Sequence, residues 1–249
     1  MNTSSPRVWL AEPVIRRYLD GVRGGIPLAK EQLRLLVQLV GASGQPLHRF
    51  LDLGCGDGVL GCALLEEWPE ARGVFLDFAQ PMIEAARLKL GDQARRHEFC
   101  LVDYADPDWT QSVRRFGPFD AVVSGYSIHH QEDARKQTLY REIFGLLQPG
   151  AIFLNLEHVS SASRWGEEIH DEIFVESLVA FHSRIGTAAG RVDIERDYYQ
   201  RDDKAANRLA PVELQCRWLR EIGYVGVDCF FKICELALFG GIRPAQPRS

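Results

Sequence analysis

The chain of 249 residues predicts an α/β fold, a seven-stranded, mostly parallel, doubly wound sheet that ends in an antiparallel hairpin. Three observations predict it. Short apolar runs rich in Val, Leu and Phe alternate with stretches of helical spacing, the pattern of strands joined by crossover helices. The first run, Phe50-Leu51-Asp52-Leu53, passes directly into Gly54-Cys55-Gly56-Asp57-Gly58 and then into an apolar helical pattern. Such a glycine-dense strand-to-helix turn lets a ligand approach the main chain and meet backbone N–H groups. The last two runs, Val225 to Phe231 and Cys234 to Phe239, are too close for a crossover helix and so pair as a hairpin.

Taken in order, Pro13 to Leu39 carries helical spacing (Leu33, Leu36, Leu39), divided into two helices at Gly24-Gly25-Ile26-Pro27. The first strand ends at Leu53, and the helix from Val59 to Trp68 stops before Pro69. A second strand, Gly73-Val74-Phe75-Leu76-Asp77, leads to a helix with Pro81 in its first turn that runs to about Leu90. The third strand is Phe99 to Val102, followed by Asp103. The fourth is Asp120 to Ser124, and its helix places Leu139, Ile143, Leu146 and Leu147 on one face. After Gln148-Pro149-Gly150 the fifth strand, Ala151 to Leu156, ends at Glu157-His158. Trp165 to Ala189 then reads as one or two helices and Arg191 to Lys204 as a highly charged stretch. A final helix spans Pro211 to Ile222, stopped by Gly223. The whole, 1–249, reads as one domain, with 1–48 and the insertion 159–209 as helical covers.

Composition narrows the partners. A hydrophobic share of 46% and a charged share of 25% describe a water-soluble globular chain with a sizeable core. The net charge of −5 argues against broad binding to nucleic acid or anionic membrane. No apolar run reaches the roughly 20 residues of a membrane span. The six cysteines form no C-x-x-C pair, which suits free thiols in a reducing cytoplasm better than disulfides or zinc. Cytoplasmic location is the expectation; oligomeric state stays open.

The turn says which ligand. Asp77 lies 19 residues after Gly58, about where a nucleotide fold places the acid that holds ribose hydroxyls. A G-x-G-x-x-G frame exists at Gly56 to Gly61, but it starts late and sets Asp57 where a pyrophosphate would sit, and no Gly-Lys-Ser/Thr loop is present. Carboxylates such as Asp52 suit a sulfonium cation carrying an ammonium group better than a pyrophosphate.

The Asp52-x-Gly54-x-Gly56-x-Gly58 pattern resembles motif I of the class I S-adenosylmethionine-dependent methyltransferases, and the resemblance extends from about Phe50 to Gly241. It implies S-adenosylmethionine as cofactor, with Asp52, Gly54 and Gly56 around its methionine part and Asp57 nearby. It implies Asp77 on the ribose, Phe78 on one adenine face, and Asp103 with Tyr104 at the adenine amino group. Phe119 to Ser124 resembles motif IV, which puts Ser124 under the sulfonium, and Leu147-Gln148-Pro149-Gly150 resembles the turn before strand five.

In an open α/β sheet, ligands lie beyond the carboxyl ends of the strands. Ser127, His129 and His130 follow strand four there, and Glu157 and His158 end strand five. An oxygen or nitrogen acceptor needs a proton removed, and histidine is suited to that near neutral pH. The candidate bases are His130 and His158 ahead of His129, because adjacent side chains such as His129 and His130 diverge in regular structure. Candidate contacts to a small organic acceptor are Tyr18, Ser127, Glu157, Trp165 and Phe174. The expectation on metal is none: His129, His130, Glu157, His158, His170 and Asp171 supply ligand types without ligand spacing. Two alternatives stay open, an RNA-modifying enzyme of the tRNA wobble-uridine type and a cofactor-binding protein without turnover.

Overall fold

The structure, a computed structural model, describes residues 22–187 and 189–245. Its centre is a seven-stranded sheet of β1 (Arg49–Leu53), β2 (Arg72–Asp77), β3 (Glu98–Leu101), β4 (Phe119–Gly125), β5 (Leu147–His158), β6 (Val225–Ile233) and β7 (Leu236–Ile242). The spatial order is β3-β2-β1-β4-β5-β7-β6, parallel from β3 through β5, with β7 antiparallel to both of its neighbours. The chain reverses its direction of travel across the sheet between β1 and β4, so the carboxyl ends of those strands open a crevice at the topological switch.

Helices cover both faces. They are α1 (Ala29–Ala42), α2 (Val59–Glu67), α3 (Gln80–Leu90), the single turn α4 (Thr110–Val113), α5 (Asp133–Leu146), α6 (Arg164–Ile185), α7 (Arg191–Tyr199) and α8 (Val212–Ile222). Strand alternation divides the core in two. Leu51, Leu53, Val122 and Phe153 pack with Leu139, Ile143, Trp218 and Leu219 from α5 and α8. Phe50, Ala121, Val123, Ile152 and Leu154 pack with Leu36, Leu60, Leu64 and Ile83 from α1, α2 and α3. The same alternation puts Asn155 and Glu157 on the face of Phe153, fully buried, a polar end to an apolar strand.

The predicted fold is the observed one, with local differences. The fifth strand begins four residues earlier than expected, and the third is shifted by one. The charged stretch after α6 contains the helix α7, because Ile194 and Tyr198 are buried against α6 while Arg191, Glu195, Arg196 and Asp197 face outward. Insertion helix α6 is one continuous helix, begun by the Ser163 hydroxyl accepting from Gly166 N–H and ended by left-handed Gly186. Before α1, Val22–Gly25 forms a short 3-10 turn rather than the end of a helix; the part of the N-terminal expectation before residue 22, Tyr18 included, lies outside the described residues. Gly24 and Gly25 are needed for packing, since a Cβ on either would overlap Phe181 or Leu178 of α6. The two segments expected to cover the acceptor therefore pack on each other.

His97, between α3 and β3, accepts a hydrogen bond at Nδ1 from Gly73 N–H at 3.2 Å, which requires the unprotonated ring. Burial, then the Arg96 and Arg72 charges, lower its pKa to about 4. Its contribution to stability is complete above the unfolded value of about 6.5 and is lost as pH falls toward 4. At about pH 5 the loss is roughly 2 kcal/mol. Urea unfolding at pH 7 and pH 5 checks this: the difference between the two should shrink in His97→Gln and would be unchanged if His97 were not the group.

Candidate active site

The glycine turn is built from three left-handed residues, Gly54, Gly56 and Gly58, with φ of 66°, 53° and 76°. Gly54 is fixed by close approach: an added Cβ would overlap the Ser127 hydroxyl. At Gly56 the opposite holds. An added Cβ would meet nothing within 4 Å, so its backbone borders open space. Gly58 begins α2, and Cys55 N–H donates to Leu76 O (2.9 Å), which ties the turn to the end of β2.

That open space is a cavity of about 390 Å³ across the carboxyl ends of the strands. Its β2–β3 end is walled by Asp77, Phe78, Asp103 and Tyr104, its middle by Gly54, Gly56, Tyr126 and Ser127, and its β4–β5 end by His129, His130, His158, His170, Phe174, Arg201 and Asn207. A second cavity of about 400 Å³ opens on the other side of the turn, walled by Asp52, Asp57 and Lys89 and sharing Gly54, Gly56, Gly125 and Tyr126 with the first. Tyr126 stands between them in a left-handed conformation (φ 50°), held by its hydroxyl donating to Gln32 Oε1 at 2.7 Å. A strained tyrosine at a cavity junction is the kind of outlier that marks a working site.

Asp77 is buried, and its two oxygens accept from Gly56 N–H and Ala79 N–H, both at 2.9 Å. Burial raises its pKa despite those bonds. Asp103 accepts from Ala105 N–H (2.8 Å) within its own turn. The Tyr104 hydroxyl and the Ser127 hydroxyl share a hydrogen bond of 2.7 Å, joining the β3 and β4 ends of the cavity. Asp52 accepts from Gly61 N–H (2.8 Å) and Asp57 pairs with Lys89, so both are on the second cavity rather than the first.

At the other end, Glu157 is buried completely and organises His129. Its Oε2 accepts from His129 N–H (3.0 Å), and its Oε1 lies 2.5 Å from His129 Nδ1 and accepts from His158 N–H (2.9 Å). Burial raises Glu157 to about 7 and pushes His129 well below its ordinary value. An unprotonated His129 that donates through Nδ1–H keeps the lone pair on Nε2. Asn207 lines the same end of the cavity. Burial likewise lowers His130, and it lowers His170 to about 4.

Several expected positions change in the structure. His129 and His130 do not diverge: they occupy a 3-10 turn, Ile128–His130, their rings 3.9 Å apart, and both line the cavity. The turn is a single short one rather than a continuous helix or strand, so the divergence of neighbours in regular structure does not apply. Ser124 is not on the wall; fully buried, its hydroxyl donates to Leu53 O (2.8 Å) and joins β4 to β1. Glu157 stands behind the wall, hydrogen-bonded to two residues that line the cavity, His129 and His158. Trp165, in the first turn of α6, is 73% exposed and away from the cavity. Phe174 is on the wall, its ring stacked on Tyr198 at 5.3 Å. Tyr126, Asn207 and Glu235 were not singled out from sequence; a left-handed tyrosine and a residue delivered by a distant hairpin leave no local pattern.

Comparison with known proteins agrees with this geometry. A family-level description of the methyltransferase domain matches residues 51–153, the span from the glycine turn to β5. The carboxy-S-adenosyl-L-methionine synthase of Helicobacter hepaticus is 26% identical over 220 residues, covering 86% of this chain and 85% of its own. The trans-aconitate 2-methyltransferase of Methylobacterium radiotolerans is 27% identical over 192 residues, 70% of this chain and 67% of its own. Among solved structures, an O-methyltransferase family protein from Burkholderia thailandensis superposes with a TM-score of 0.56 at 19% identity over 86% of this chain, which spans 57% of that protein's length. Among the described residues no helix is long and apolar enough to cross a membrane. With the glycine turn, the strand-end carboxylates and the sheet order in place, residues 51–153 match the methyltransferase domain, and the chain as a whole is similar to S-adenosylmethionine-dependent methyltransferases.

Proposed function

We propose that this enzyme moves a methyl group from S-adenosylmethionine to an oxygen or nitrogen atom of a small organic acceptor, with His129 as the base that takes the acceptor's proton. The observation that carries the reading is the His129–Glu157 contact of 2.5 Å behind the wall of the 390 Å³ cavity. A buried carboxylate that fixes the tautomer and direction of an imidazole is the arrangement a general base needs.

The residues present fit the cofactor. Asp77 has two carboxylate oxygens whose remaining lone pairs suit ribose hydroxyls, and Phe78, Asp103 and Tyr104 form an apolar slot with an acceptor edge for adenine. The open backbone at Gly56 leaves room for a ligand against the main chain. Asp52 and Asp57 line the second cavity, which we assign to the methionine part. When bound, the cofactor supplies a methyl group on a sulfonium, already an electrophile. The protein's share is then placement and proton removal. Ser127 and Tyr126 separate the two ends, while Phe174, Arg201, His130 and His158 form the wall the acceptor meets. A cavity of this size with apolar and polar walls suits a small molecule, and the similarity to a trans-aconitate 2-methyltransferase supports the same class.

Wild-type protein incubated with methyl-labelled cofactor and separated pools of small metabolites, RNA and protein tests the reading. Label should enter the small-molecule pool in a product stable as an ether, ester or amine. Label confined to RNA would replace this reading with a nucleic-acid substrate, and cofactor binding without any transfer would remove the catalytic claim.

A further inference from the structure

The acceptor end of the cavity holds a second group of side chains that the base assignment does not use. His158 ends β5, His170 lies in the second turn of α6, and Glu235 sits at the tip of the β6–β7 hairpin. Among the described residues these three form a cluster whose nitrogen and oxygen donor atoms all lie within 4.8 Å of one another. We propose that His158, His170 and Glu235 bind a divalent transition-metal cation whose open coordination positions face the acceptor. What occupies that open side rests on the acceptor reading above; the binding of the cation does not.

Donor type, distance, burial and support each point to a cation. Two imidazoles and one carboxylate are the ligand set of zinc-class sites that keep an open position. His158 Nε2 is 2.9 Å from Glu235 Oε2, and His170 Nε2 is 3.9 Å from the same oxygen. Ligand bonds of about 2.0–2.2 Å place neighbouring donor atoms about 2.9 Å apart at right angles and about 3.4 Å apart in a tetrahedron. The His158–Glu235 separation equals the lower value, and the His170–Glu235 separation of 3.9 Å exceeds the tetrahedral one by about half an ångström, a movement small for a side chain closing on an ion. A simple ion pair accounts for His158 and Glu235 but not for His170, whose Nε2 lies near the same oxygen but beyond hydrogen-bond range. All three side chains are at least 86% buried, where a lone histidine–carboxylate pair has little to gain.

The surroundings hold the ligands in place. Glu235 Oε1 accepts from Ser161 N–H at 3.1 Å, and Glu235 O accepts from Val159 N–H at 2.7 Å, so both ends of the residue are tied to the corner after β5. Hydrogen bonds of this kind to the non-ligating oxygen orient a metal-binding carboxylate. Cys234, just before it, has φ of 48°, a strained conformation for a residue with a Cβ, and it turns the hairpin so that Glu235 points back under α6. Arg201 is the cationic neighbour on this wall, and its effect on His170 is opposed by Glu235 and Asp171. His158 and His170 both line the cavity, which leaves the open face of the site toward the acceptor.

Purified full-length protein, stripped with a chelator, should be titrated with Zn²⁺ by calorimetry and with Co²⁺ by visible absorption, with S-adenosylhomocysteine affinity measured on the same samples. The expected result is one cation per chain, with Kd of about 10 μM or tighter, and the ligand-field bands of a low-symmetry Co²⁺ site. His170→Ala and Glu235→Gln should each weaken cation binding by about 100-fold or more while still binding S-adenosylhomocysteine. His182→Ala, a half-buried histidine in the last turn of the same helix and outside the cluster, should bind as wild type does. No cation binding by the wild type, or equal weakening in His182→Ala, would overturn the proposal without touching the methyltransferase reading, because cofactor affinity is read separately.

Discussion

His129→Ala should lower methyl transfer by about 10²–10⁴-fold while leaving cofactor affinity within a few-fold of wild type. The expectation follows from position. His129 is at the β4–β5 end of the cavity, remote from the Asp77 and Asp103 wall that would hold ribose and adenine, and it is the histidine to which a fully buried carboxylate is directed. His130 shares the wall, but its Nδ1 faces the Ala206 carbonyl at 3.4 Å rather than an orienting carboxylate, so His130→Ala should cost less. Steady-state rates and calorimetry on both variants measure the difference. A larger loss in His130→Ala would transfer the base role to that residue. Small losses in both would point to an acceptor that arrives deprotonated, a thiolate or carboxylate.

Asp77→Ala should act on the opposite side of the ledger, weakening S-adenosylmethionine and S-adenosylhomocysteine binding by about 1–3 kcal/mol, roughly 5- to 150-fold. Asp77 contributes twice. It offers acceptors to a ribose, and it holds Gly56 N–H and Ala79 N–H in the turn that borders the cavity. Removing it leaves the buried Ala79 N–H unpaired and frees the Gly56 N–H at the cavity edge. Calorimetric titration of the variant measures the loss; wild-type affinity in Asp77→Ala would withdraw the ribose assignment.

Much of this was legible in the chain because it depends on local pattern. Alternating apolar runs and helical spacing give β1 to β5 and their helices in order, and the spacing of the last two runs gives the hairpin. The glycine turn and the acids after β2 and β3 are sequential features, and they are found together on one cavity. Legibility failed where a third dimension decides. Helix α7 was hidden in a charged stretch because two buried residues, Ile194 and Tyr198, suffice to anchor it on α6. Ser124 precedes the wall by one strand step, and strand alternation turns its hydroxyl toward Leu53 instead of the ligand. Trp165 is aromatic and near the insertion's start, but the first turn of α6 points it outward. Glu157 reads as an acceptor contact and Glu235 as an ordinary hairpin acid; only the fold brings one to His129 and the other to His158 and His170.

The pairing of His129 with Glu157 is the central claim, and a double-mutant cycle tests it most directly. Transfer rates should be measured for wild type, His129→Ala, Glu157→Gln and the double variant, with cofactor affinity as the check on folding. If the two residues work as one unit, Glu157→Gln alone should cost a substantial share of the His129→Ala loss. The double variant should then be no slower than His129→Ala by more than a few-fold. Losses that multiply, so that the double variant falls by the product of the two single effects, would contradict the account and show that Glu157 serves the structure independently of the base.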